Sequence, residues 1–183
     1  MTRPVLITGV SGSGKSALTR ALIGSGQRAI SLDAYPGLAY WADHTHTPVT
    51  RPHHPDIQWL TAHHWILDPQ VLDQLITTDK LAGQTPPLVL CGVAANLADL
   101  RDRFSTVIML DIDRATQADR LTNASRGNDF GRAGDSARWL TTTFDTERTR
   151  LMALADTIVD ATGDLHHVTG TVIAVIGAGD ASR

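Results

Sequence analysis

Eight residues near the N-terminus, Gly9-Val10-Ser11-Gly12-Ser13-Gly14-Lys15-Ser16, constrain this chain more than any other stretch. They match G-x-x-x-x-G-K-[ST] at every fixed position. The apolar run Val5-Leu6-Ile7-Thr8 precedes them, and Ala17, Leu18, Ala21 and Leu22 follow at helical spacing. A buried strand, a glycine-rich turn and a helix in that order is the context the pattern requires. The glycines permit backbone conformations that a β-carbon forbids, so successive N–H groups turn inward on an anion. Lys15 brings a compact positive charge to the β- and γ-phosphates of a nucleotide, and Ser16 offers a hydroxyl to Mg²⁺. The N-terminus of the following helix adds its dipole.

Further strands and helices alternate along the rest of the chain. Ala29-Ile30-Ser31-Leu32, Leu88-Val89-Leu90-Cys91, Val107-Ile108-Met109-Leu110 and Thr157-Ile158-Val159-Asp160 read as short strands. Helical spacing is expected from about Ile57 to Thr78, broken at Asp68-Pro69, and again after Arg114. One long helix is expected through Leu140, Phe144, Leu151 and Leu154, capped by Asp135 or Ser136. A short helix capped by Asn96 would carry Leu97, Leu100 and Phe104. A last helix carries Leu165, Val168, Val172 and Ile176, with a frayed tail from Gly177. Residues 34–56 hold Pro36, Gly37, Pro48, Pro52 and Pro55 and read as an irregular or partly helical insertion. This alternation predicts an α/β domain with a parallel sheet and ligands at the carboxyl ends of its strands.

Bulk properties narrow the possibilities. At 183 residues the chain is long enough for one domain with a real core. Its net charge of -3 counts against a duplex nucleic-acid partner. The single cysteine, Cys91, excludes an intramolecular disulfide. No apolar run approaches the ~20 residues of a membrane span, and no signal-peptide pattern opens the chain, so a cytoplasmic protein is expected.

Acids at strand ends are the next candidates for chemistry. The third predicted strand ends in Cys91-Gly92 and offers none, which argues against a motor-type ATPase. Asp33 ends the second strand, where a carboxylate can accept or orient the proton of an attacking hydroxyl. Asp113 suits a helix cap, and Asp111 is expected to do no more than solvate its strand end. Beyond the fourth strand, Arg120, Arg126 and Arg132 flank Gly127-Asn128-Asp129-Phe130-Gly131. A guanidinium swung in by a mobile segment stabilises charge on a transferring phosphoryl group. Arg126 is the candidate for that role, with Arg120 placed against the adenine ring.

His44, His46, His53, His54, His63 and His64 crowd one segment, yet none has a spacing like H-E-x-x-H that converges on a metal. Acceptor recognition suits the segment better, with Tyr40, Trp41 and Trp65 stacking on a base and Arg51 reaching a phosphate. Packing alone is the competing account of Trp41 and Trp65.

In layout the chain resembles the small P-loop kinases: shikimate kinase, gluconate kinase and the nucleoside and nucleotide kinases. The features that carry the likeness are the phosphate loop, the strand ending in Asp33, the Arg120/Arg126 segment and the strand before Ala161-Thr162-Gly163. The resemblance implies a three-layer α/β/α P-loop NTPase fold over residues 1–183, with a five-stranded parallel sheet of order 2-3-1-4-5. It also implies an acceptor-binding insertion at about 34–78, a lid after the fourth strand at about 125–135, and Thr162 near the base. Gly92-Val93-Ala94-Ala95-Asn96 departs from the glycine triplet of shikimate kinases, and the Arg126–Gly131 pattern departs from the gluconate-kinase lid.

The expected activity is transfer of the γ-phosphate of ATP to a small acceptor, a nucleoside or nucleotide first, a sugar acid or RNA end otherwise. Lys15, Asp33 and Arg126 are the expected catalytic residues. Gly9, Ser11, Gly12, Ser13, Gly14, Lys15, Ser16, Ala17, Arg120 and Thr162 would bind the nucleotide, and Ser16 the Mg²⁺. A nucleotide-dependent switch without phosphoryl transfer is the alternative.

Overall fold

The uninterrupted apolar runs decide the architecture, because a strand that is apolar on both faces must be covered on both. A computed structural model describes residues 3–82, 85–123 and 129–181. The elements run β1 (Val5–Thr8), α1 (Lys15–Gly24), β2 (Ala29–Ser31), β3 (Ala39–Ala42), α2 (Ile57–Ala62), β4 (His64–Leu67), α3 (Pro69–Ala82), β5 (Val89–Cys91), β6 (Thr106–Asp111), α4 (Arg114–Thr122), α5 (Gly134–Thr142), α6 (Phe144–Leu154), β7 (Thr157–Asp160) and α7 (Leu165–Ala181).

Five of the strands form a parallel sheet in the order β2-β5-β1-β6-β7. Counted among themselves these strands are ordered 2-3-1-4-5. Every residue of β1 and β5 is buried. α1 packs with α7, α7 against β7, and α6 against β6, giving the three-layer α/β/α arrangement. Leu18 and Leu22 lie one turn apart on α1, and both are fully buried. Each such leucine contributes about 1.5–3 kcal/mol relative to an exposed one. Because the strands are parallel, Gly9, Asp33, Gly92, Ile112 and Ala161 all emerge at one edge of the sheet. Among the described residues, no helix is long and apolar enough to cross a membrane.

β3 and β4 form a separate antiparallel pair in which Tyr40 faces Ile66 and Trp41 faces Trp65. Residues 64–67 therefore form a strand, not part of the helix expected there. Pairing with a segment over twenty residues earlier overrides the local helical spacing. Between them, the Asp43 carboxylate accepts hydrogen bonds from the amides of Thr45 and Thr47 (2.8 and 3.0 Å) and closes the turn.

Four other expectations change. The long helix is two, α5 and α6, meeting at Thr143, whose hydroxyl donates to the Trp139 carbonyl at 2.7 Å. α5 has Ala133 at its N-cap with no side-chain cap; Ser136 instead accepts from the Gly131 amide and donates to the Ala133 carbonyl. Leu97, Leu100 and Phe104 are buried as their spacing suggests, but on turns and a single 3₁₀ turn, Arg101–Arg103. α7 continues through Gly177 to Ala181.

Candidate active site

The phosphate loop is shaped by its glycines. Gly9, Gly12 and Gly14 have φ of 154°, 87° and 94°. A β-carbon on Gly9 would lie 2.6 Å from the Leu110 carbonyl oxygen and 2.7 Å from Ser13 Oγ. α1 begins at Lys15 with Gly14 at its N-cap and no side chain capping it. The N-terminal end of α1 therefore adjoins the glycine turns, a position whose dipole suits an anion. The Lys15 ammonium curls over the loop, donating to the carbonyls of Gly9 (2.6 Å) and Val10 (2.9 Å) and lying 3.3 Å from Ser13 Oγ. Ser13 is buried and Ser16 is exposed at the start of the helix. The loop thus brings a glycine-shaped backbone and a helix N-terminus beside one ammonium and one accessible hydroxyl, a donor set that fits a Mg²⁺-bound nucleotide phosphate chain.

α4 closes over the loop. The buried Gln117 amide donates to the Ser11 carbonyl at 3.1 Å. Arg120 donates to the carbonyls of Ala161 (2.8 Å) and Thr162 (3.2 Å), and its other terminal nitrogen lies 3.5 Å from the Ser13 carbonyl. Arg120, Thr162 and the phosphate loop therefore meet, as three elements distant in sequence. Asp160 orders the same turn by accepting from the Thr162 amide and hydroxyl (2.9 and 2.7 Å). The Thr162 hydroxyl holds the Asp160 carboxyl below the usual carboxylate range. Asp113 caps α4, accepting from the Thr116 amide at 2.7 Å, and that amide likewise lowers its pKa.

Beside the phosphate loop lies a cavity of about 670 Å³. Val10 and Ser11 form part of its wall, with Asp33 nearby. Much of the lining is aromatic: Trp41, Trp65, Phe130 and Trp139. Trp41 packs against Trp59, Trp65 and Phe130 at ring-centroid distances of 5.0, 5.8 and 5.9 Å, all tilted. These separations and tilts are those that aromatic quadrupoles prefer. Trp41 and Trp65 pack against each other across the β3–β4 pair and also line the cavity. Tyr40 lies on the opposite face of the hairpin, in register with the buried Ile66.

Asp33 is exposed at the end of β2 and accepts a hydrogen bond from Trp65 Nε1–H at 3.1 Å. Arg51 places its guanidinium carbon 5.4 Å from the centre of the Phe130 ring. Arg126 lies outside the described residues. Phe130 and Gly131, from the same glycine-bearing stretch, reach the cavity wall and the α5 side chain Leu140 respectively.

Several cavity residues escaped sequence reasoning. Glu147 and Arg150 on α6 line the cavity and pair with each other at 2.6 and 2.9 Å. Arg150 also donates to the carbonyls of Ala94 (3.1 Å) and Ala95 (3.3 Å). Their i, i+3 spacing of opposite charges was the available signal, but it occurs on many solvated helices. Trp139 and Gln117 carried no pattern at all. Of the histidines, His63 stacks on Trp59 at 4.3 Å, and His53 and His54 touch each other edge to face. Among the described residues no group of three or more His, Cys, Asp or Glu side chains is placed to hold a metal ion.

No protein-family model matches the sequence, and no curated protein matches it. Solved structures do match in shape. The shikimate kinase from Acinetobacter baumannii in complex with shikimate aligns at a TM-score of 0.56 and 12% identity, over 97% of this chain and 94% of that one. A gluconokinase from Sinorhizobium meliloti 1021 aligns at 0.51 and 16% identity, over 96% and 92%. TT1252 from Thermus thermophilus aligns at 0.58 and 16%, over 97% and 98%. Identities this low speak for architecture alone, and that architecture, together with the complete phosphate loop, is the fold of the small P-loop kinases.

Proposed function

We propose that the chain transfers the γ-phosphate of ATP to a hydroxyl of a small acceptor, with a nucleoside or nucleotide as the favoured acceptor. The observation that carries this reading is the shared wall. Val10 and Ser11 belong both to the phosphate loop and to the aromatic cavity, and Asp33 lines the same cavity. A donor phosphate and an acceptor hydroxyl would therefore meet beside a carboxylate.

In this reading the amides of Gly9 to Ala17 and the Lys15 ammonium hold the donor phosphates, and Ser16 holds Mg²⁺. Magnesium, when bound, neutralises phosphate charge and favours departure of ADP. Arg120 and Thr162 frame the base. Asp33 accepts the proton as the acceptor oxygen bonds to phosphorus and the bond to the ADP oxygen breaks. Residues of about 34–78 build the acceptor site, and the segment of about 125–135 acts as its lid. Arg126 screens charge from that lid. Aromatic walls keep water away, so transfer outruns hydrolysis. A cytoplasmic location, where ATP is abundant, goes with this activity.

The favoured acceptor follows from the charges. A sugar acid calls for an open guanidinium fork toward its carboxylate. Arg150 is already committed to Glu147 and two carbonyls, while Arg51 sits at the Phe130 face. Flat aromatic surface is what the cavity offers in abundance, and a nucleobase is the planar partner for it.

The test is ADP release from Mg-ATP against nucleosides, nucleoside monophosphates, sugar acids and short RNA, with Lys15→Ala as the blank. Release that depends on a nucleoside or nucleotide and vanishes in the blank supports the proposal. Release with sugar acids or RNA alone corrects the acceptor. Tight ATP binding without acceptor-dependent release moves the weight to a nucleotide-dependent switch.

A further inference from the structure

Asp33 stands at an exposed strand end, where a carboxylate normally samples several rotamers. Here one of its oxygens is engaged by Trp65 Nε1–H. The strand that carries the donor is itself held from several directions. Trp65 faces Trp41 across the β3–β4 pair, with ring centroids 5.8 Å apart. Its carbonyl accepts from the Ala95 amide at 2.8 Å. Two residues on, the Asn96 side chain grips both the amide and the carbonyl of Leu67 (3.0 and 2.9 Å). Ile66, between them, is buried on the opposite face. The backbone that carries the indole is therefore fixed to the loop after β5, which leaves the phosphate loop's neighbouring strand, while Trp41 packs on the ring itself.

Indole N–H is a donor only. It can orient a carboxylate without competing for the acceptor's proton, and it adds no charge to an apolar wall. A second oxygen of Asp33 is left for an acceptor hydroxyl.

We propose that Trp65 is a positioning residue for phosphoryl transfer: its indole N–H sets the orientation of Asp33, so the β3–β4 hairpin aligns the proton acceptor as well as walling the acceptor site. The inference rests on the proposed role of Asp33 toward the acceptor hydroxyl.

Two substitutions separate orientation from walling. Trp65→Phe keeps a ring in the wall and removes the donor, whereas Trp65→Ala removes both. With Mg-ATP and the best acceptor of the nucleoside, nucleotide and sugar-acid panel, Trp65→Phe should lower kcat about tenfold, the loss of a hydrogen bond to a charged group. KM for ATP should be unchanged and KM for the acceptor should move less than about twofold, since no binding contact is removed. Trp65→Ala should raise the acceptor KM as well. Made on Asp33→Ala, Trp65→Phe should cost nothing further, because the group it positions is gone. Equal losses of kcat in both backgrounds, or a rise in acceptor KM alone, would overturn the proposal.

A second measurement needs no turnover. The chain has four tryptophans, hence four indole N–H signals in a ¹⁵N-correlated spectrum, and Trp65→Phe identifies one of them. Asp33→Ala should move that signal and speed its hydrogen exchange while leaving the other three in place. A signal indifferent to Asp33 refutes the inference while the phosphotransferase reading stands. Absence of turnover with every acceptor in the unmodified protein sinks that reading, and the positioning role with it, whatever the spectrum shows.

Discussion

Asp111, the last residue of β6, is held by Arg148 through two parallel hydrogen bonds, Nε to Oδ1 and Nη2 to Oδ2, each 2.6 Å long. The pair fastens α6 to the carboxyl edge of the sheet. Both carboxylate oxygens are taken, so Asp111 is a strut between elements, not the solvated strand end expected from sequence. The carboxylate in turn raises the Arg148 pKa.

Removing the strut has a definite expected effect. Arg148→Met keeps much of the stem volume and leaves the Asp111 carboxylate without its partner. Both side chains are partly exposed, so screening limits the loss to about 1 kcal/mol. Urea denaturation should show a lower midpoint at unchanged slope. α6 carries Glu147 and Arg150 into the cavity, so acceptor KM should rise more than KM for ATP.

Asn96 gives a larger effect. Its amide replaces a neighbouring strand for Leu67, accepting from one backbone group and donating to the other. Leu67 is fully buried, so neither backbone group can turn to water. Asn96→Ala should therefore cost about 2 kcal/mol, the penalty of a buried polar group left unmet. The same chemical denaturation reads it. An effect within a few tenths would mean that the hairpin is held elsewhere.

What was legible in the chain depended on how far apart the interacting residues lie. The phosphate loop is a local pattern between a local strand and a local helix, so Gly9 to Ser16 could be read directly. The five sheet strands stood out because apolar runs buried on both faces have few other uses. Residues 64–67 did not, since their strand exists only through pairing with residues 39–42. Asn96 looked like a helix cap because its true partner, Leu67, is far back in the chain. Asp113 could be assigned as a cap because its partner, Thr116, is three residues away. Glu147, Arg148 and Arg150 are ordinary-looking charges on a helix, and only the fold turns them toward the strand ends. Asp33 was found from its place after a strand, but its tie to Trp65 is another long-range contact.

Cys91 offers a probe of the strand beside the phosphate loop. Burial pushes its thiol from 9.0 up to about 11, against the smaller opposing effect of the Thr19 hydroxyl. The thiolate is therefore nearly absent at pH 8 in the folded chain. Iodoacetamide should label native protein far more slowly than urea-unfolded protein, where the thiol is exposed and near its ordinary value. The sign for stability follows the same shift. Below about pH 8 both states keep the proton and nothing changes. Above it the unfolded state ionises first, so this group favours unfolding progressively as pH rises toward its folded value. Rapid labelling of the native protein at pH 8 would mean that β5 opens readily.

Gly9 is the sharpest test of the phosphate cradle. Its φ of 154° and the approach of the Leu110 carbonyl leave no room for a β-carbon. The obstructing atom belongs to the backbone of β6 and cannot swing aside as a side-chain tip could. Gly9→Ala must then shift the loop away from the sheet, at a strain cost of roughly 1–3 kcal/mol. The loop amides and the carbonyls that hold Lys15 move together, so ATP affinity should fall at least about tenfold. Lys15→Ala alone should weaken ATP binding while the loop backbone stays in place. Hydrogen exchange of the loop amides distinguishes the two, rising in Gly9→Ala and staying near the unmodified level in Lys15→Ala. Unchanged ATP affinity in Gly9→Ala would show that the nucleotide phosphates are held somewhere other than on Gly9 to Ser16.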